Sequence, residues 1–368
     1  MGVLLKIAIF HDSFDQIGGA EKAALLLAKD LKADIITTIA KKEILEKLDI
    51  QGVNIIQQPI LSEKTPFKQF FTCIAFLTMD FSKKYDFFIL SGRLTAFAAV
   101  KHKPNIYICM DLMREFYDLK EYYNTRLPLL MRLTHSASFF VFKPLFENSL
   151  KSIQKIIAVS KDNQKKIKKY YKRNSEIVYL PIDCENFSHK KSKGYCLSVN
   201  RIYPAKRIEL QLEAFKLTPE KRLVIVGDYA KGDEKALGYV KKILAQKPKN
   251  VEIISRPTQK KLKQLYSECD CFLATSKEEA FGLAVIEAMA SGKPIVAVNE
   301  GGFKETVLNN KTGFLVNPEP QEIVKAIKEI SKNPEKFKKN CQTQALKFDS
   351  KKFFEKIKKL IKSQIENS

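Results

Sequence analysis

The sequence contains no run of 18 or more uncharged apolar residues, the length that a membrane-spanning helix requires. It also has no G-x-G-x-x-G fingerprint, the glycine pattern of many dinucleotide-binding dehydrogenases. No D-x-D pair stands at the end of a strand-like segment, so the sequence implies no bound divalent metal. These absences argue against an integral membrane protein and against a dehydrogenase.

Cysteine is scarce and scattered, with an odd total of seven residues. Cys269 and Cys271 are too close together for a usual metal-binding pair, and no second pair or histidine cluster accompanies them. The N-terminal residues MGVLLKIAIF lack a small-residue cleavage site and are typical of a buried strand rather than a signal peptide. We therefore expect reduced, buried thiols in a cytoplasmic protein.

Positive charge dominates: 64 lysine and arginine residues against 41 aspartate and glutamate residues give a formal net charge of +23. Such an excess favours an anionic partner, either nucleic acid, an acidic membrane surface or a phosphorylated substrate. Most of the excess is lysine, beside abundant isoleucine and phenylalanine, and a compositionally biased genome would produce the same pattern. Because no recognisable nucleic-acid-binding motif is present, nucleic acid is not a predicted partner.

Short apolar runs alternate with amphipathic, helix-length segments along the whole chain. Continuous apolar runs are typical of parallel strands covered on both faces, and there are too many of them for one compact sheet. The strand-like runs are 4–10, 33–38, 86–91, 105–110, 155–160, 176–180, 194–199, 222–227, 251–255, 271–275 and 294–298. This pattern predicts an α/β protein with two Rossmann-like, doubly wound parallel-sheet domains facing a cleft.

The domain limits follow from the polar segment 181–194, which carries proline and glycine and is the predicted linker. We expect an N-terminal Rossmann-like domain over 1–184, a C-terminal Rossmann-like domain over 193–345 and a C-terminal helix within 346–368. Ligands of such sheets bind beyond the carboxyl ends of the strands. The loops that follow the strands therefore hold the candidate site residues.

Two of these loops carry residues suited to a phosphate. After the first strand, Gly18 and Gly19 precede a helix, so backbone amides and the helix dipole could meet an anion; such a turn is also ordinary punctuation. In the second domain the first strand is predicted to end at Asn200, followed by Arg201 and Lys206. An arginine fork and a lysine point charge suit a pyrophosphate, although a solvated basic loop has the same composition.

A third loop, EEAFGLAVIEAMASG, places Glu279 before a predicted helix and Glu287 within it. If the span were all helix, roughly 12 Å would separate the two positions, about the distance from a sugar to a ribose across a pyrophosphate. Glu287 could accept both hydroxyls of a ribose diol, and Glu279 could hold the transferred sugar. The amides of Gly282 and Leu283, with Phe281 in the same turn, would complete the donor site. A cap or a solvated face explains Glu279 tolerably, but not Glu287 among its apolar neighbours.

Taken together, these motifs resemble the donor-site signature of the family-4 retaining glycosyltransferases, which have the GT-B fold. The resemblance rests on the E-x7-E stretch, on SVNRIYPAKRIE and on IGGAEK, and it is clear from about 150 to 350 and weak over 40–105. It implies that Arg201 and Lys206 bind the donor pyrophosphate, and that Glu279 and Glu287 hold the donor sugar and the ribose. It also implies that domain 1–184 is on the acceptor side and that domain 193–345 binds the donor. Catalytic roles for Arg201, Lys206 and Glu279 follow from it as well, as does a C-terminal helix that crosses back onto the first domain.

One departure from the family lies in YICMDLMREFYD, which is similar to a segment of its mannosyltransferase-like members. Where many relatives have a histidine that contacts the donor sugar, this chain has Met110. Methionine cannot form the same hydrogen bond, so either Asp111 replaces that contact or it is lost. Arg114 is grouped with these two residues on the acceptor and sugar side. Retention in the family requires no protein nucleophile, because the leaving phosphate is thought to accept the acceptor's proton.

Three segments of the first domain allow two interpretations each. Segments 64–84 and 136–146 carry aromatic side chains, which would suit an anionic membrane surface beside a lipid-linked acceptor or core helices equally. The stretch 160–173 has seven cations in fourteen residues, and would meet lipid phosphates or form a solvated helix face. A peripheral position on the inner face of the cell membrane is therefore an alternative to a purely cytoplasmic one.

The predicted activity is that of a retaining, metal-independent hexosyltransferase without a cofactor. Its donor would be a nucleotide-sugar, GDP-mannose or a UDP-hexose, and its acceptor a lipid-linked or cell-surface glycan. Arg256, which follows the strand 251–255, is the candidate neighbour of the base. The alternative is a catalytically inactive sugar-nucleotide-binding homologue that acts as a partner subunit, and Met110 motivates it.

Overall fold

The computed structural model describes residues 5–48, 51–63, 67–114, 116–121, 142–228 and 234–366. The chain divides into two units, Met1–Tyr179 together with Phe354–Ser368, and Leu180–Phe353. Each unit contains one parallel sheet with helices between successive strands. The predicted α/β class with two parallel-sheet domains is therefore confirmed.

The described residues of the first unit form a seven-stranded sheet in which every pairing is parallel. Its strands are β1 Ile7–His11, β2 Asp34–Thr37, β3 Ile55–Gln57, β4 Phe87–Ser91, β5 Asn105–Cys109, β6 Lys155–Ala158 and β7 Glu176–Ile177. The order is β3-β2-β1-β4-β5-β6-β7, so Ile9 of β1 lies between Ile35 and Ile89. The strand order changes direction between β1 and β4.

The described residues of the second unit form a six-stranded parallel sheet. Its strands are β8 Tyr195–Arg201, β9 Arg222–Asp228, β10 Val251–Ile254, β11 Cys271–Ala274, β12 Ile295–Val298 and β13 Gly313–Val316. The order β10-β9-β8-β11-β12-β13 changes direction between β8 and β11. Open parallel sheets bind ligands outside such a switch point, so the loops after β8 and β11 are the ones that matter here.

All the predicted apolar runs contain strands, but two edge strands escape the pattern. β3 has only two apolar residues, and neither is fully buried. β13 begins at Gly313, whose φ is 142°, and a Cβ added there would lie 1.9 Å from the carbonyl oxygen of Ile295. An edge strand buries less apolar surface than a central one, so its sequence carries a weaker signal.

Helices separate the strands in both units. They are α1 Gly19–Leu31, α2 Lys42–Leu48, α3 Phe67–Thr78, α4 over 142–151, α5 Lys161–Lys166, α6 Ile208–Lys216, α7 Glu234–Gln246, α8 Gln259–Glu268, α9 Leu283–Ala290, α10 Phe303–Thr306, α11 Pro320–Lys332, α12 Lys338–Ala345 and α13 Ser350–Glu366. Short 3-10 turns occupy Thr95–Val100, Cys184–Asn186, Pro204–Lys206, Pro334–Phe337 and Leu346–Phe348.

A buried histidine organises the core of the first unit. His102 is fully buried, with its ring 4.6 Å from that of Phe10 and 4.9 Å from that of Phe88. Its Nδ1 lies 2.6 Å from the carbonyl oxygen of Ala98, and its Nε2 accepts a hydrogen bond from the Phe81 amide. Burial lowers the pKa of His102, because a charged imidazole would be desolvated among these rings.

Helix α3 has both a side packed on the core and an exposed apolar side, the two alternatives that the sequence left open for segment 64–84. One face is buried, through Thr72, Cys73 and Phe76, and fixes the helix on the core. Another side exposes Phe67, Phe70 and Ile74, by 59%, 41% and 39%. The predicted aromatic segments extend over 64–66 and 136–141, which lie outside the described residues. No helix in the described part of the chain is both long and apolar enough to cross a bilayer.

The predicted linker 181–194 belongs to the second unit. Its backbone is irregular, as the polar composition indicates, but it is bound to helix α8: the amides of Lys190 and Lys193 donate to the carbonyl oxygens of Ser267 and Glu268. At the other end of that unit, helix α13 begins at Ser350, and its residues from Phe354 onward belong to the first unit.

The seven cysteines are free thiols, and all except the half-buried Cys184 are buried. Cys196 and Cys271 face each other across β8 and β11, with their sulfur atoms 3.1 Å apart. Burial raises the pKa of the Cys109 thiol to about 12, so this group is a poor nucleophile. The expectation of buried thiols is confirmed apart from Cys184, and their reduced state stays a prediction.

The basic stretch 160–173 forms α5 and a π-helical turn over Ile167–Tyr171. Beside it lies a cavity of about 620 Å³, lined by the start of β6, by α5 and its turn, and by 172–177. Several of its cations already have partners: Lys155 pairs with Glu176 at 2.9 Å, and Arg173 donates to backbone carbonyl oxygens. The cavity lies at the amino end of β6, the sheet edge opposite to the carboxyl ends of the strands.

Candidate active site

The loop after β8 is fixed against the end of β11. Its 3-10 turn, Pro204–Lys206, begins with proline, whose restricted φ suits a first helical position. The Thr275 hydroxyl donates to the carbonyl oxygen of Lys206 at 2.8 Å and accepts from the Gln211 amide at 2.8 Å. Thr275 and Gln211 are fully buried, so their hydrogen bonds fix the backbone of Lys206 to the protein interior.

Lys206 and Glu279 contact each other directly. The ammonium Nζ lies 2.5 Å from Oε2 of the carboxylate, and the two side chains are 15% and 22% exposed. Burial by itself would lower the pKa of Lys206, but attraction to Glu279, the nearby Tyr203 and the hydrogen bond to Glu279 together outweigh it, and the pKa is raised. The lysine is therefore positively charged at neutral pH and lies beside a carboxylate at the mouth of the switch point.

Arg201 is the last residue of β8, one residue further along than the sequence indicates, and it is exposed. Between it and Lys206 stands Tyr203: the Arg201 guanidinium carbon is 5.7 Å from the centre of the ring and the Lys206 nitrogen 5.6 Å. The face of an aromatic ring attracts cations, so Tyr203 holds the two side chains near each other. Tyr203 was not predicted as a site residue, although an aromatic residue between two cations of one loop was a visible signal.

Helix α9 begins where the sequence places it, directly after Gly282. That glycine has φ 89°, and a Cβ there would lie 2.7 Å from the Phe303 ring, so only glycine fits. The first amides of a helix, here those of Leu283 and Ala284, have no partner four residues back in the helix and suit an anion, whereas the Val285 amide already donates to the carbonyl oxygen of Gly282. The Phe281 side chain is buried and packs edge to face on Phe348, so it stabilises the loop from inside.

The loop 299–302 supports the Glu279 loop at close range. Gly301 has φ 52°, and a Cβ there would lie 2.4 Å from the carbonyl oxygen of Glu279, to which the Gly302 amide donates. The Glu300 carboxylate accepts from Arg207 at 3.0 Å and from the Glu278 amide at 3.3 Å. These contacts join three loops into one frame around Lys206 and Glu279.

Glu287 lies in the middle of α9, half-buried among buried neighbours. Its Oε2 accepts a hydrogen bond of 2.8 Å from the hydroxyl of Tyr266, a fully buried residue of α8. Glu287 is therefore not a fully solvated side chain, and its role at a ribose stays a prediction. The roughly 12 Å estimate does not apply, because the chain is helical only from Leu283 onward.

Arg256 follows β10 and is bound to the neighbouring strand end. Its Nε donates to the carboxylate of Asp228, the last residue of β9. The backbone at Arg256 has φ 48°, in the left-handed region that non-glycine residues seldom adopt. Its predicted position beside the base stays a prediction, and Asp228 is the partner that the sequence did not indicate.

The predicted residues of the first unit have different surroundings. Gly18 caps α1 with extended backbone, and a Cβ there would meet the Glu21 carboxylate at 2.3 Å, so the helix's own acidic residue lies over this end. Gly19 is the first residue of the helix. A phosphate at this turn would have to displace the Glu21 side chain, and the predicted cradle stays a prediction.

Arg114 is buried in an ion-pair network. Its guanidinium lies 3.5 Å from Asp118 and 3.8 Å from Asp111, and Asp118 also pairs with Lys166. Met110 and Asp111 follow β5 and are half-buried, and the Asp111 carboxylate accepts from the Leu112 amide. The structure therefore brings Asp111 and Arg114 together, with Arg114 directed into the protein.

Asp12 is a residue of the first unit that sequence reasoning missed. It follows β1, and its carboxylate accepts hydrogen bonds from the amides of Arg93, Leu94 and Thr95. These bonds fix the loop after β4 to the loop after β1, which are the two loops at the switch point of this sheet. Its position directly after the first strand was the available signal.

The comparisons with known proteins bear on the second unit most directly. Residues 182–348 match the family described as Glycosyl transferases group 1. This segment, which is less than half of the chain, is similar to the group 1 glycosyl transferases.

Among similar curated proteins, an alpha-1,3/1,6-mannosyltransferase ALG2 of Dictyostelium discoideum is 30% identical over 193 residues, 46% of each chain. The chain thus spans less than half the length of this relative in the match. HepE of Anabaena, solved with UDP and glucose, superposes with a TM-score of 0.75 at 21% identity, covering 98% of this chain and all of that one. Sucrose-phosphate synthase from Thermosynechococcus elongatus gives a TM-score of 0.79 at 17% identity, over 99% and 100% of the two chains.

At these identities the solved structures show the fold alone, which is that of the GT-B glycosyltransferases. The group 1 segment contains every predicted donor residue of the second unit, from Arg201 to Glu287. It contains none of the predicted residues of the first unit. The family match and the connected loops therefore coincide on the same part of the chain.

Proposed function

We propose that this protein is a retaining hexosyltransferase that transfers mannose or a similar hexose from a nucleotide-sugar to a lipid-linked or cell-surface glycan. The observation that supports it most is the contact between Lys206 and Glu279 within a group 1 segment. It puts a fixed cation beside a carboxylate at the carboxyl ends of β8 and β11. In this proposal the second domain, about 193–345, binds the donor and the first, 1–184, serves the acceptor.

In this proposal each part of the nucleotide-sugar has a partner among the residues of the second unit. Arg201 and Lys206 hold the diphosphate, the amides at the start of α9 take a phosphate or sugar oxygen, Glu279 holds the sugar and Glu287 the ribose diol. Glu279 already binds Lys206, so the incoming diphosphate would share this ammonium with the carboxylate. The raised pKa of Lys206 keeps the cation charged for that purpose at neutral pH.

The chemical step separates an anionic nucleoside diphosphate from an oxocarbenium-like sugar. Fixed cations placed where negative charge grows are usually the largest catalytic term, and one such donor contributes about 3–4 kcal/mol. Arg201 and Lys206 supply this charge, and for that reason we propose a step that needs no metal or other cofactor. Retention follows if the leaving phosphate accepts the acceptor's proton on the face from which it departs.

The donor is GDP-mannose or a UDP-hexose in this proposal. A mannosyltransferase among the relatives supports mannose, and a UDP complex of a protein with the same fold supports the nucleotide-sugar class. Arg256, held by Asp228 beside the end of β9, is the proposed neighbour of the base.

A peripheral contact with an anionic membrane is part of the proposal and would bring the protein to a lipid-linked acceptor at the cytoplasmic face. The exposed side chains of Phe67, Phe70 and Ile74 on α3 support it. Vesicles with and without anionic lipid, sedimented with the protein, test this part separately from transfer.

The test of activity is a panel of GDP- and UDP-sugars assayed for release of the nucleoside diphosphate, with and without glycan acceptors. We expect turnover with one donor and its loss in Glu287→Ala. Donor binding without transfer or hydrolysis would instead favour the inactive partner-subunit alternative. Full activity in Glu287→Ala would contradict the proposed donor site.

A further inference from the structure

Tyr266 holds the carboxylate of Glu287 from inside the second unit. Its hydroxyl donates to Oε2 at 2.8 Å, and the residue is fully buried. The ring lies nearly parallel to that of Phe272 at 5.8 Å and edge to face with that of Phe187 at 5.9 Å. With the ring packed between two aromatic neighbours, the hydroxyl has one position, and it points at the glutamate.

The hydroxyl remains a donor under all ordinary conditions. Burial raises the pKa of Tyr266 well above its usual value, and the nearby Glu287 carboxylate raises it further. A carboxylate offers about four lone-pair sites on its two oxygens, and the bond from Tyr266 occupies one of them. The side chain of Glu287 is thus anchored through Oε2.

We propose that Tyr266 is a positioning residue that orients Glu287 toward a ribose diol, which makes the site selective for ribonucleotide over 2′-deoxyribonucleotide donors. The inference rests on the proposed function, since it takes Glu287 as the ribose partner. A glutamate has three side-chain torsions, and without an anchor its oxygens would seldom face both hydroxyls at once. A donor lacking the 2′-hydroxyl would leave one oriented carboxylate oxygen without its partner.

A structural role alone would give a different result. If Tyr266 served only to satisfy a half-buried carboxylate, its loss would lower stability and weaken every nucleotide equally. The ratio of affinities for a ribonucleotide and its 2′-deoxy form separates the two roles, because stability cancels from it.

The experiment is calorimetric titration of the full-length protein with UDP, GDP and ADP, and then with the 2′-deoxy form of the tightest of these. We expect the wild type to bind the ribonucleotide about tenfold more tightly than its 2′-deoxy form. In Tyr266→Phe this preference should fall to about twofold. The matched control is Tyr195→Phe, which removes a buried tyrosine hydroxyl bound to the carbonyl oxygen of Leu265 and should keep the tenfold preference.

Three results would overturn the inference: equal binding of the two nucleotide forms by the wild type, an unchanged preference in Tyr266→Phe, or the same loss of preference in Tyr195→Phe. The first of these requires no variant to fold. Glu287→Ala in the same assay distinguishes the two levels: unchanged ribonucleotide affinity there contradicts the proposed function itself. A loss in Glu287→Ala with no effect of Tyr266→Phe contradicts only the positioning role.

Discussion

The two units hold their candidate residues in opposite ways. In the second, Lys206 and Glu279 are partly exposed at the switch point of the sheet, and Arg207 and Glu300 connect the loops that carry them. In the first, Arg114 is 7% exposed and bound into a network of acidic side chains. Partly exposed charges fixed at strand ends can exchange partners with a ligand, whereas a buried network mainly stabilises its own fold.

The comparison also agrees with the extent of the family match. Residues 182–348 carry it, and the first unit has no counterpart in it. In the proposed function this domain recognises a nucleoside diphosphate, which requires the same few groups whatever the sugar or acceptor, and this would explain why its residues form recognisable motifs. The predictions below address this difference, from the largest expected effect to the smallest.

Removing the cation of the second unit should have the largest effect. Lys206→Met keeps most of the side-chain volume but loses the charge opposite Glu279, and we expect the transfer rate to fall about 100- to 1,000-fold. Release of the nucleoside diphosphate measures it, with Lys249→Met, an exposed lysine of the same unit, as the control. The matched change in the first unit is Arg114→Met, which should mainly lower the free energy of unfolding. If Lys206→Met lowered the transfer rate less than tenfold, the role assigned to the Lys206 cation would be wrong.

The loop frame should be sensitive to a single methyl group. Gly301→Ala places a Cβ 2.4 Å from the Glu279 carbonyl oxygen at a φ of 52°, and we expect a loss of about 2–3 kcal/mol in unfolding free energy. Gly238→Ala, in helix α7 with nothing within 4 Å of the added atom, should instead stabilise by about 0.5–1 kcal/mol. Urea denaturation measures both. Similar changes in unfolding free energy for the two variants would show that the loops around Glu279 tolerate displacement.

Acidification should affect the first unit through His102. Its folded-state pKa is lowered by burial, so between that value and about 6.5 only the unfolded chain binds the proton. Stability due to this group is therefore present above pH 6.5 and is lost on going below it, by at most about 1.4 kcal/mol per pH unit. Urea melts from pH 7.5 to 5.5 should show this slope, and His102→Gln should flatten it.

The matched substitution in the second unit is His189→Gln. His189 has a lowered pKa as well, from burial first and then Lys293, but its side chain is 13% exposed, whereas His102 is fully buried. It should therefore remove less of the slope than His102→Gln. If His189→Gln flattened the pH dependence of stability as much as His102→Gln or more, the expected difference between the two units would be contradicted.

The smallest effect is expected at the C-terminal helix. Lys358 lies 2.9 Å from Asp30 of α1, but its side chain is 54% exposed, so water screens the pair. Lys358→Ala should change the unfolding free energy by less than about 1 kcal/mol, with Lys356→Ala as the control. A larger loss in thermal or urea melts would show that this pair fixes the helix on the first unit.

The sequence predicted those parts of the fold that depend on local pattern. Continuous apolar runs located the central strands, and the glycine before an apolar helix located the start of α9 after Glu279. The edge strands β3 and β13 escaped because they bury little or begin with glycine. Arg201 lies on β8 rather than after it, since a strand end carries no marker of its own.

The missed site residues are those whose role depends on contacts between distant elements. Tyr266 and Glu287 are 21 positions apart on different helices, and no periodicity connects them. Glu300 reaches Arg207 over 93 positions, and Asp12 reaches Leu94 over 82. A single sequence identifies groups with suitable chemistry, but only the folded chain shows which of them support one another.

The most direct test of the donor site is a crystal structure of this protein with the nucleoside diphosphate that it binds most tightly. The ribose hydroxyls should lie within hydrogen-bond distance of the Glu287 carboxylate, and the diphosphate should contact Arg201 and Lys206. A nucleotide bound elsewhere, such as in the basic cavity beside α5, with these three side chains untouched, would contradict the assignment.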